Sequence, residues 1–382
     1  MRGSVIQKQA GSGRWYVVLD LGRDGTGRRQ QKWHSGYRSK RDAERGLTAL
    51  LSARDTGTYV EPQRVTLGEY LLERWLPAVE STVRPATYDG YGRHLRRYVV
   101  PALGALPLQS VQPDALSVFY RDLLDHGGAV SQPLAAATVR RIHATLHRAL
   151  RDAVAWGYLL RNPASVAVKP KQRGVGSLEM RTWSAAELRA FLDHVQGDRL
   201  YAAWRLAAST GVRRGELLGL RWVDVDLAAG HVAVRQTLTA VRGKLLFDAP
   251  KTARSRRSVA LDVETVTALR SWRAAQLEER LAWGEAWQET GMLFTREDGS
   301  LIHPDAFSAW WSRHLRQSGL PRIRFHDLRH THASLALQAG VPAKVVSERL
   351  GHATVAFTLD VYSHTIPSLH QDAAEKIAAL LV

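Results

Sequence analysis

The chain of 382 residues contains no cysteine. Disulfides, thiolate-bound zinc and cysteine nucleophiles are therefore excluded. No run of about 18 apolar residues is present, the length a helix needs to cross a bilayer. The opening stretch, MRGSVIQKQAGSGRW, holds no apolar segment, so no secretory leader is expected. Acidic side chains are scarce, 36 against 53 Lys and Arg, giving a net charge of +17. An excess of that size points to a polyanionic partner, nucleic acid above all. Lysine is scarce as well: 9 of the basic residues are Lys and 44 are Arg. A guanidinium fork grips phosphate oxygens in pairs, which an ammonium cannot do. A codon bias towards arginine explains that ratio but not the net charge. Hydrophobic residues at 45% and charged residues at 23% fit a folded protein of two or three domains and exclude global disorder.

Residues 1–60 carry 12 Lys and Arg against 5 Asp and Glu, a net of +7. Trp15 to Leu21 and Arg28 to Ser35 read as strands, with Asp24-Gly25 as the turn and Gly22 and Gly27 beside it. Ser39, with Asp42 three residues on, reads as the N-cap of a helix burying Ala43, Leu47 and Leu50. The first domain is thus a small basic sheet-plus-helix module. Such a sheet can enter a DNA groove; the plainer alternative is an inert basic cap.

Residues 61–64 read as a linker, and a helical domain is expected over 65–168. Thr66 and Glu69 have capping-box spacing, with Leu67, Leu71 and Trp75 on one face. Tyr88, Tyr91, Leu95 and Tyr98 form a second stripe, stopped by Pro101 and Gly104. A third helix is expected from about Ala136 to Leu160, burying Val139, Ile142, Leu146, Leu150 and Ala153 and ended by Asn162-Pro163. Arg93, Arg96, Arg97, Arg140, Arg141, Arg148 and Arg151 lie outside these stripes. Any one of them is ordinary solvated surface. Their recurrence on several helices makes Arg93, Arg97, Arg140 and Arg141 candidates for phosphate contact.

KPKQRGVGS, residues 169–177, reads as a flexible basic linker. The third domain, 177–382, opens on another capping box, Ser184 with Glu187, ahead of Leu188, Phe191 and Leu192. Leu200 to Leu220 reads as helix broken at Thr210-Gly211. His231 to Thr237, Leu245 to Phe247 and Arg257 to Leu261 read as strands, with Pro250 to Arg256 as a basic loop. The remainder reads as mainly helical, closing on a helix over 366–382 with Ile377, Leu380 and Leu381 apolar.

Four segments stand out together: STGVRRGEL (209–217), PKTARSRR (250–257), HDLRHTH (326–332) and LGH (350–352), followed by Tyr362. Each alone has a structural explanation: surface arginines, a loop charge, a buried polar network, a core tyrosine. In order and spacing they resemble the tyrosine recombinase, or phage integrase, family in its form with an arm-binding domain. The resemblance extends over essentially the whole chain. It implies a multidomain, mainly α fold with small β-sheets. The parts are a β-sheet-plus-helix arm-binding module, a SAM-like helical core-binding domain and an α+β catalytic domain. It places the first catalytic arginine at Arg213, a supporting acid at Glu216 and the loop lysine at Lys251. His326, Arg329 and His352 match the next three positions, and Tyr362 matches the nucleophile.

The chemistry suits those residue types. Two guanidinium groups, Arg213 and Arg329, can stabilise the non-bridging oxygens of a phosphoryl-transfer transition state without a metal. His352 can add a hydrogen bond, and His326 is suited to accept the Tyr362 proton. The resemblance implies a 3′-phosphotyrosyl link and a free 5′-hydroxyl, with Lys251 protonating the departing oxygen and Arg254 and Arg256 on DNA. The covalent link stores the phosphodiester energy, so no ATP or other cofactor is expected, and no Walker-type loop occurs. His326, His330 and His332 could suggest zinc, but the HExxH glutamate is absent and Arg329 would repel a cation; no metal is expected.

The expected function is integration of a phage or mobile element at double-stranded attachment sites, by a homotetramer assembled on DNA in the cytoplasm of a bacterial host, associated with the nucleoid. A host DNA-bending factor and an excision partner are further expected partners, and no membrane is. Rivals are a Xer-like chromosome or plasmid resolvase, a non-catalytic DNA-binding protein and a type IB topoisomerase.

Overall fold

The computed structural model describes residues 3–7, 14–23, 25, 27–56, 59–127, 132–171, 181–249, 256–352, 354–362 and 378. The chain splits into two compact units, Met1–Gln172 and Arg173–Val382.

The first unit begins with an antiparallel sheet in the order β1 (Gly3–Gln7), β2 (Trp15–Arg23), β3 (Arg29–Tyr37). β1 escapes a reading by alternation because it is five residues long and carries just two large aliphatics. Helix α1 (Lys40–Asp55) starts where expected, with Asp42 N–H donating to Ser39 Oγ at 3.1 Å. Ala43 is fully buried with Val17 and Leu19, while Leu47 and Leu50 pack partly buried beside them. The stretch expected as a linker, residues 61–64, makes contacts on both sides. Gln109 donates to the Glu61 carbonyl at 2.7 Å and accepts from Gln63 N–H at 3.3 Å, and Lys32 pairs with Glu61.

A helical layer follows. The capping box of Thr66 and Glu69 opens α2 (Leu67–Glu69), which runs through a π-helical turn (Tyr70–Trp75) into α3 (Leu76–Val79). α4 (Pro85–His94) likewise continues through a π-helical turn (Leu95–Val99) into α5 (Val100–Leu103). Pro101 therefore does not stop the helix. It sits in the first turn of α5, where a missing N–H costs little, and the helix ends at Gly104. α6 (Pro113–His126) and α7 (Ala136–Ala155) complete the layer. α7 ends five residues earlier than expected, and Gly157, two residues past its end, has φ 77°. Leu67, Leu71, Trp75, Leu95, Val139, Ile142, Leu146 and Leu150 form one core.

The second unit opens with α8 (Ala185–His194), capped by the expected Ser184–Glu187 box. α9 (Tyr201–Thr210) breaks at Gly211, which takes the left-handed conformation at φ 64°, and α10 (Arg214–Leu218) resumes at once. The strand expected over 231–237 is two strands. In the first sheet, β4 (Val225–Asp226), β5 (His231–Val234) and β8 (Arg257–Ala260) lie side by side; β6 (Thr237–Val241) pairs with β7 (Lys244–Asp248) in a second. Helices α11 (Val263–Trp283), α12 (Pro304–Ser318), α13 (Asp327–Gln338), α14 (Ala343–Leu350) and α15 (Val355–Tyr362) follow. The core centres on Trp204, Phe307 and Trp311. The basic linker's residues 172–177, loop residues 250–255 and the expected terminal helix, apart from Ala378, lie outside the described residues. No helix among the described residues is long and apolar enough to cross a membrane.

Candidate active site

Helix termini assemble the site. Arg329, in the first turn of α13, is 3% exposed. It donates to the Gly211 carbonyl at 2.9 Å and to the Leu350 carbonyl at 2.6 Å. Both acceptors lie at C-terminal helix ends, α9 and α14, where the partial charge is negative and a cation is favoured. Glycine closes both helices with positive φ, 64° at Gly211 and 68° at Gly351. The TGVR and LGH motifs thus need glycine for the turns that present these carbonyls.

Arg213 caps α10, and its backbone N–H donates to Glu216 Oε2 at 3.0 Å, while its guanidinium meets Oε1 at 2.7 Å. Arg257 donates to Glu216 Oε2 at 2.9 Å and to the Arg349 carbonyl at 2.6 Å. Glu216 is 2% exposed. Burial would raise its pKa, but the hydrogen bond and charge of Arg257, then the charge of Arg213, hold it down to about 2. Burial, aided by the charge of Arg213, lowers Arg329 to about 9, so it stays protonated at neutral pH.

Tyr362 ends α15 and has no exposed surface. Its hydroxyl lies 2.7 Å from His330 Nδ1. Burial pushes the phenol up to about 12, with Arg329 pulling the other way. His352 lies parallel to the Tyr362 ring, centroids 6.4 Å apart, and its Nδ1 is 2.8 Å from Thr358 Oγ1. Burial, then the charge of Arg329, lowers His352 to about 3. His330 falls to about 4 through burial and the neighbouring His326.

The structure therefore brings Arg213, His326, Arg329, His352 and Tyr362 into one electrostatically coupled cluster. His326, expected to accept the Tyr362 proton, reaches the surface one turn before His330 and packs edge-on against that ring at 5.1 Å, while the ring nitrogen at the Tyr362 hydroxyl is that of His330. Partial burial and then Arg329 keep its pKa below the usual value. His332 turns to the Ala208 carbonyl at 3.2 Å, and among the described residues no group of three or more acids or histidines could hold a metal. Lys251 and Arg254 lie outside the described residues. Arg256 is exposed and lines a hollow of about 740 Å³ with Arg257, Lys344, Arg349 and His352.

Sequence reasoning missed Arg257 and His330. Arg257 is one of three arginines in the stretch 250–257, and the register that pairs it with Val234 is what turns it inward. His330 lies four residues from His326, one helical turn on, but that spacing does not show which of the two rings meets Tyr362.

In the first unit, Arg140 and Arg141 line an open hollow with His147, Arg148, Arg151 and Lys169. Arg93 is exposed and paired with Asp89 at 2.8 Å; Arg97, also exposed, lies over the Tyr98 ring at 5.5 Å.

A family model described as "Phage integrase family" matches residues 182–368. "Arm DNA-binding domain" matches 5–52, and "Phage integrase, N-terminal SAM-like domain" matches 66–124. The chain is 30% identical over 383 residues to the "Tyrosine recombinase XerC-like" of Caldanaerobacter subterraneus subsp. tengcongensis, covering 96% of each. It is 27% identical to the "ICEBs1 integrase" of Bacillus subtilis, covering 81% of this chain and 82% of that one. Among solved structures, a Tn1549 transposon integrase in complex with transposon right end DNA superposes with TM-score 0.67 at 20% identity. It covers 83% of this chain and 100% of that one. A lambda integrase tetramer bound to a Holliday junction gives TM-score 0.55 at 20% identity, with 91% and 92% covered. At these identities the two structures show a common fold. The comparisons define a DNA breaking-and-rejoining enzyme that catalyses site-specific recombination. The chain belongs to the phage integrase family of tyrosine recombinases, with an arm DNA-binding domain and a SAM-like domain ahead of a catalytic domain.

Proposed function

We propose that the enzyme integrates a phage or mobile element at double-stranded attachment sites through a 3′-phosphotyrosyl intermediate on Tyr362. The observation that carries this reading is the Tyr362 hydroxyl held inside a cluster containing Arg213, Arg329 and His352. Arg213 and Arg329 bind the non-bridging oxygens, and His352 and His326 add hydrogen bonds as charge develops. Lys251 protonates the departing 5′ oxygen. The stored phosphodiester energy drives rejoining without ATP. Tyr362 is fully buried, so its cover must move before a phosphodiester reaches it.

The domains act as three parts: 1–60 on separate arm sites, 65–168 on the core site through Arg93, Arg97, Arg140 and Arg141, and 177–382 in catalysis. Arg254 and Arg256 hold DNA beside Lys251. The working form is a homotetramer on DNA, which the tetramer of lambda integrase bound to a Holliday junction supports; the segment over 366–382 joins neighbouring protomers. A host DNA-bending factor and an excision partner complete the system.

The XerC-like relative favours a second reading, a chromosome or plasmid resolvase, because it matches over 96% of this chain. The test is recombination of paired attachment-site DNAs by purified protein, with EDTA present and no ATP. Integration predicts products that require arm sequences on one partner. Products from two identical core sites alone support the resolvase.

A further inference from the structure

We propose that His330 is the general base of the reaction, taking the proton of the Tyr362 hydroxyl as the phenol oxygen bonds to phosphorus. This rests on the reading of Tyr362 as nucleophile and assigns a residue that reading leaves open. His330 Nδ1 stands 2.7 Å from the hydroxyl oxygen, within the reach that proton transfer requires. The two rings are 5.7 Å apart, on helices α13 and α15. His326 touches the pair through the His330 ring, 5.1 Å away.

As a base, the ring is neutral, with its own proton on Nε2 and Nδ1 free to accept. Burial keeps Tyr362 at about 12 and His330 at about 4, so the proton stays on oxygen in the resting pair. The nucleophile is thereby kept neutral until DNA arrives. Transfer becomes favourable only as the oxygen–phosphorus bond forms, because a phenol oxygen bonded to phosphorus sheds its proton readily. The negative phosphoryl oxygens also stabilise an adjacent imidazolium. In the step, the Tyr362 O–H bond breaks and an Nδ1–H bond forms. The O–P bond forms while the bond from phosphorus to the 5′ oxygen breaks. The electron pair leaves on that oxygen, which takes a proton from the acid assigned to Lys251. Rejoining runs the same transfers backwards, and His330 returns its proton to Tyr362.

The test is single-turnover formation of the covalent adduct on a nicked duplex carrying the core sequence from the ends of the encoding element. His330→Ala should slow the adduct about 10²- to 10⁴-fold, the range for loss of a general base, with DNA affinity unchanged. Replacing Tyr362 by 3,5-difluorotyrosine makes the phenol a stronger acid that depends less on a base. The gap between His330 and His330→Ala enzymes should then shrink at least tenfold. His330→Gln, which can fill the space and accept a hydrogen bond, should behave like His330→Ala and serves if alanine unfolds the site. An undiminished gap would make His330 mere packing. A rate above that of the parent would make it a latch. Shrinkage seen with His326→Ala instead would return the role to His326. Each of these three overturns the proposal. Adduct formation by Tyr362→Phe would instead sink the nucleophile reading itself.

Discussion

Arg329 donates to the carbonyl oxygen of Gly211 at 2.9 Å across 118 positions of sequence, and so fastens the end of one helix to the start of another. The bond exists because Gly211 turns left-handed, at φ 64°, and aims its carbonyl at the buried guanidinium.

Gly211→Ala should therefore do two kinds of damage. A side chain in the left-handed region costs about 1 kcal/mol. The added Cβ would also meet Leu350 Cδ2 at 2.6 Å and His332 Cδ2 at 3.1 Å. We expect a loss of about 2–3 kcal/mol in urea unfolding, together with a larger loss of cleavage than of DNA binding. Unchanged cleavage would separate the Gly211 turn from the placement of Arg329.

Glu216 is the counter-ion to two arginines, so Glu216→Gln leaves like charges without their carboxylate. Breaking a buried pair in this way costs about 3–5 kcal/mol. Protonating Glu216 does the same to the parent enzyme. Its folded pKa, about 2, lies below the unfolded value, so its contribution is full above roughly pH 4.3 and is lost as pH falls towards 2. His330 and His352, at about 4 and 3, act in the same direction over a higher window. Unfolded histidines bind protons below roughly pH 6.5 while these two do not, so stability declines from there towards pH 4. Thermal unfolding across pH 2–7 reads both effects. A Glu216→Gln variant whose loss relative to the parent is undiminished at pH 2 would refute the carboxylate's role.

The arginines of α7 are exposed or half-buried around an open hollow, whereas Arg329 of the catalytic cluster is buried. If Arg140 and Arg141 each meet a phosphate, Arg140→Gln with Arg141→Gln should weaken binding on any DNA sequence. The slope of log affinity against log salt should fall in magnitude by roughly 0.9 per contact. A double variant with the parent slope would place DNA elsewhere.

Much of this was legible in the sequence. Both capping boxes, Thr66 with Glu69 and Ser184 with Glu187, form as their spacing dictates. Local bonds of that sort need no tertiary context. What needed context was misread. Pro101 looks like a stop, but a π-helical turn before it lets the helix run on to Leu103. The stretch 231–237 reads as one strand and divides in two, because its halves pair with β8 and β7. In the site, motif order grouped Arg213, Lys251, His326, Arg329, His352 and Tyr362, of which Lys251 lies outside the described residues. Which histidine touches the tyrosine depends on how α15 packs against α13, and no spacing in HDLRHTH encodes that.

Lys251 can be tested by its chemistry. Lys251→Ala removes the proposed acid, and an alkoxide leaving group needs its proton. A thiolate does not, since a thiol ionises at about 8.5. A substrate with sulfur at the bridging 5′ position should restore cleavage to Lys251→Ala and not to Tyr362→Phe. If sulfur fails to rescue Lys251→Ala while the parent cuts that substrate normally, another group is the acid, and His352 is the next to test.

The most direct measurement is mass-spectrometric mapping of the peptide that retains a 3′-phosphonucleotide after the enzyme is trapped on a nicked attachment-site duplex and digested. The modification should sit on the tyrosine of the segment Val355–Tyr362 and vanish in Tyr362→Phe while DNA binding persists. A modification on any other residue, or an adduct that survives Tyr362→Phe, would contradict the account.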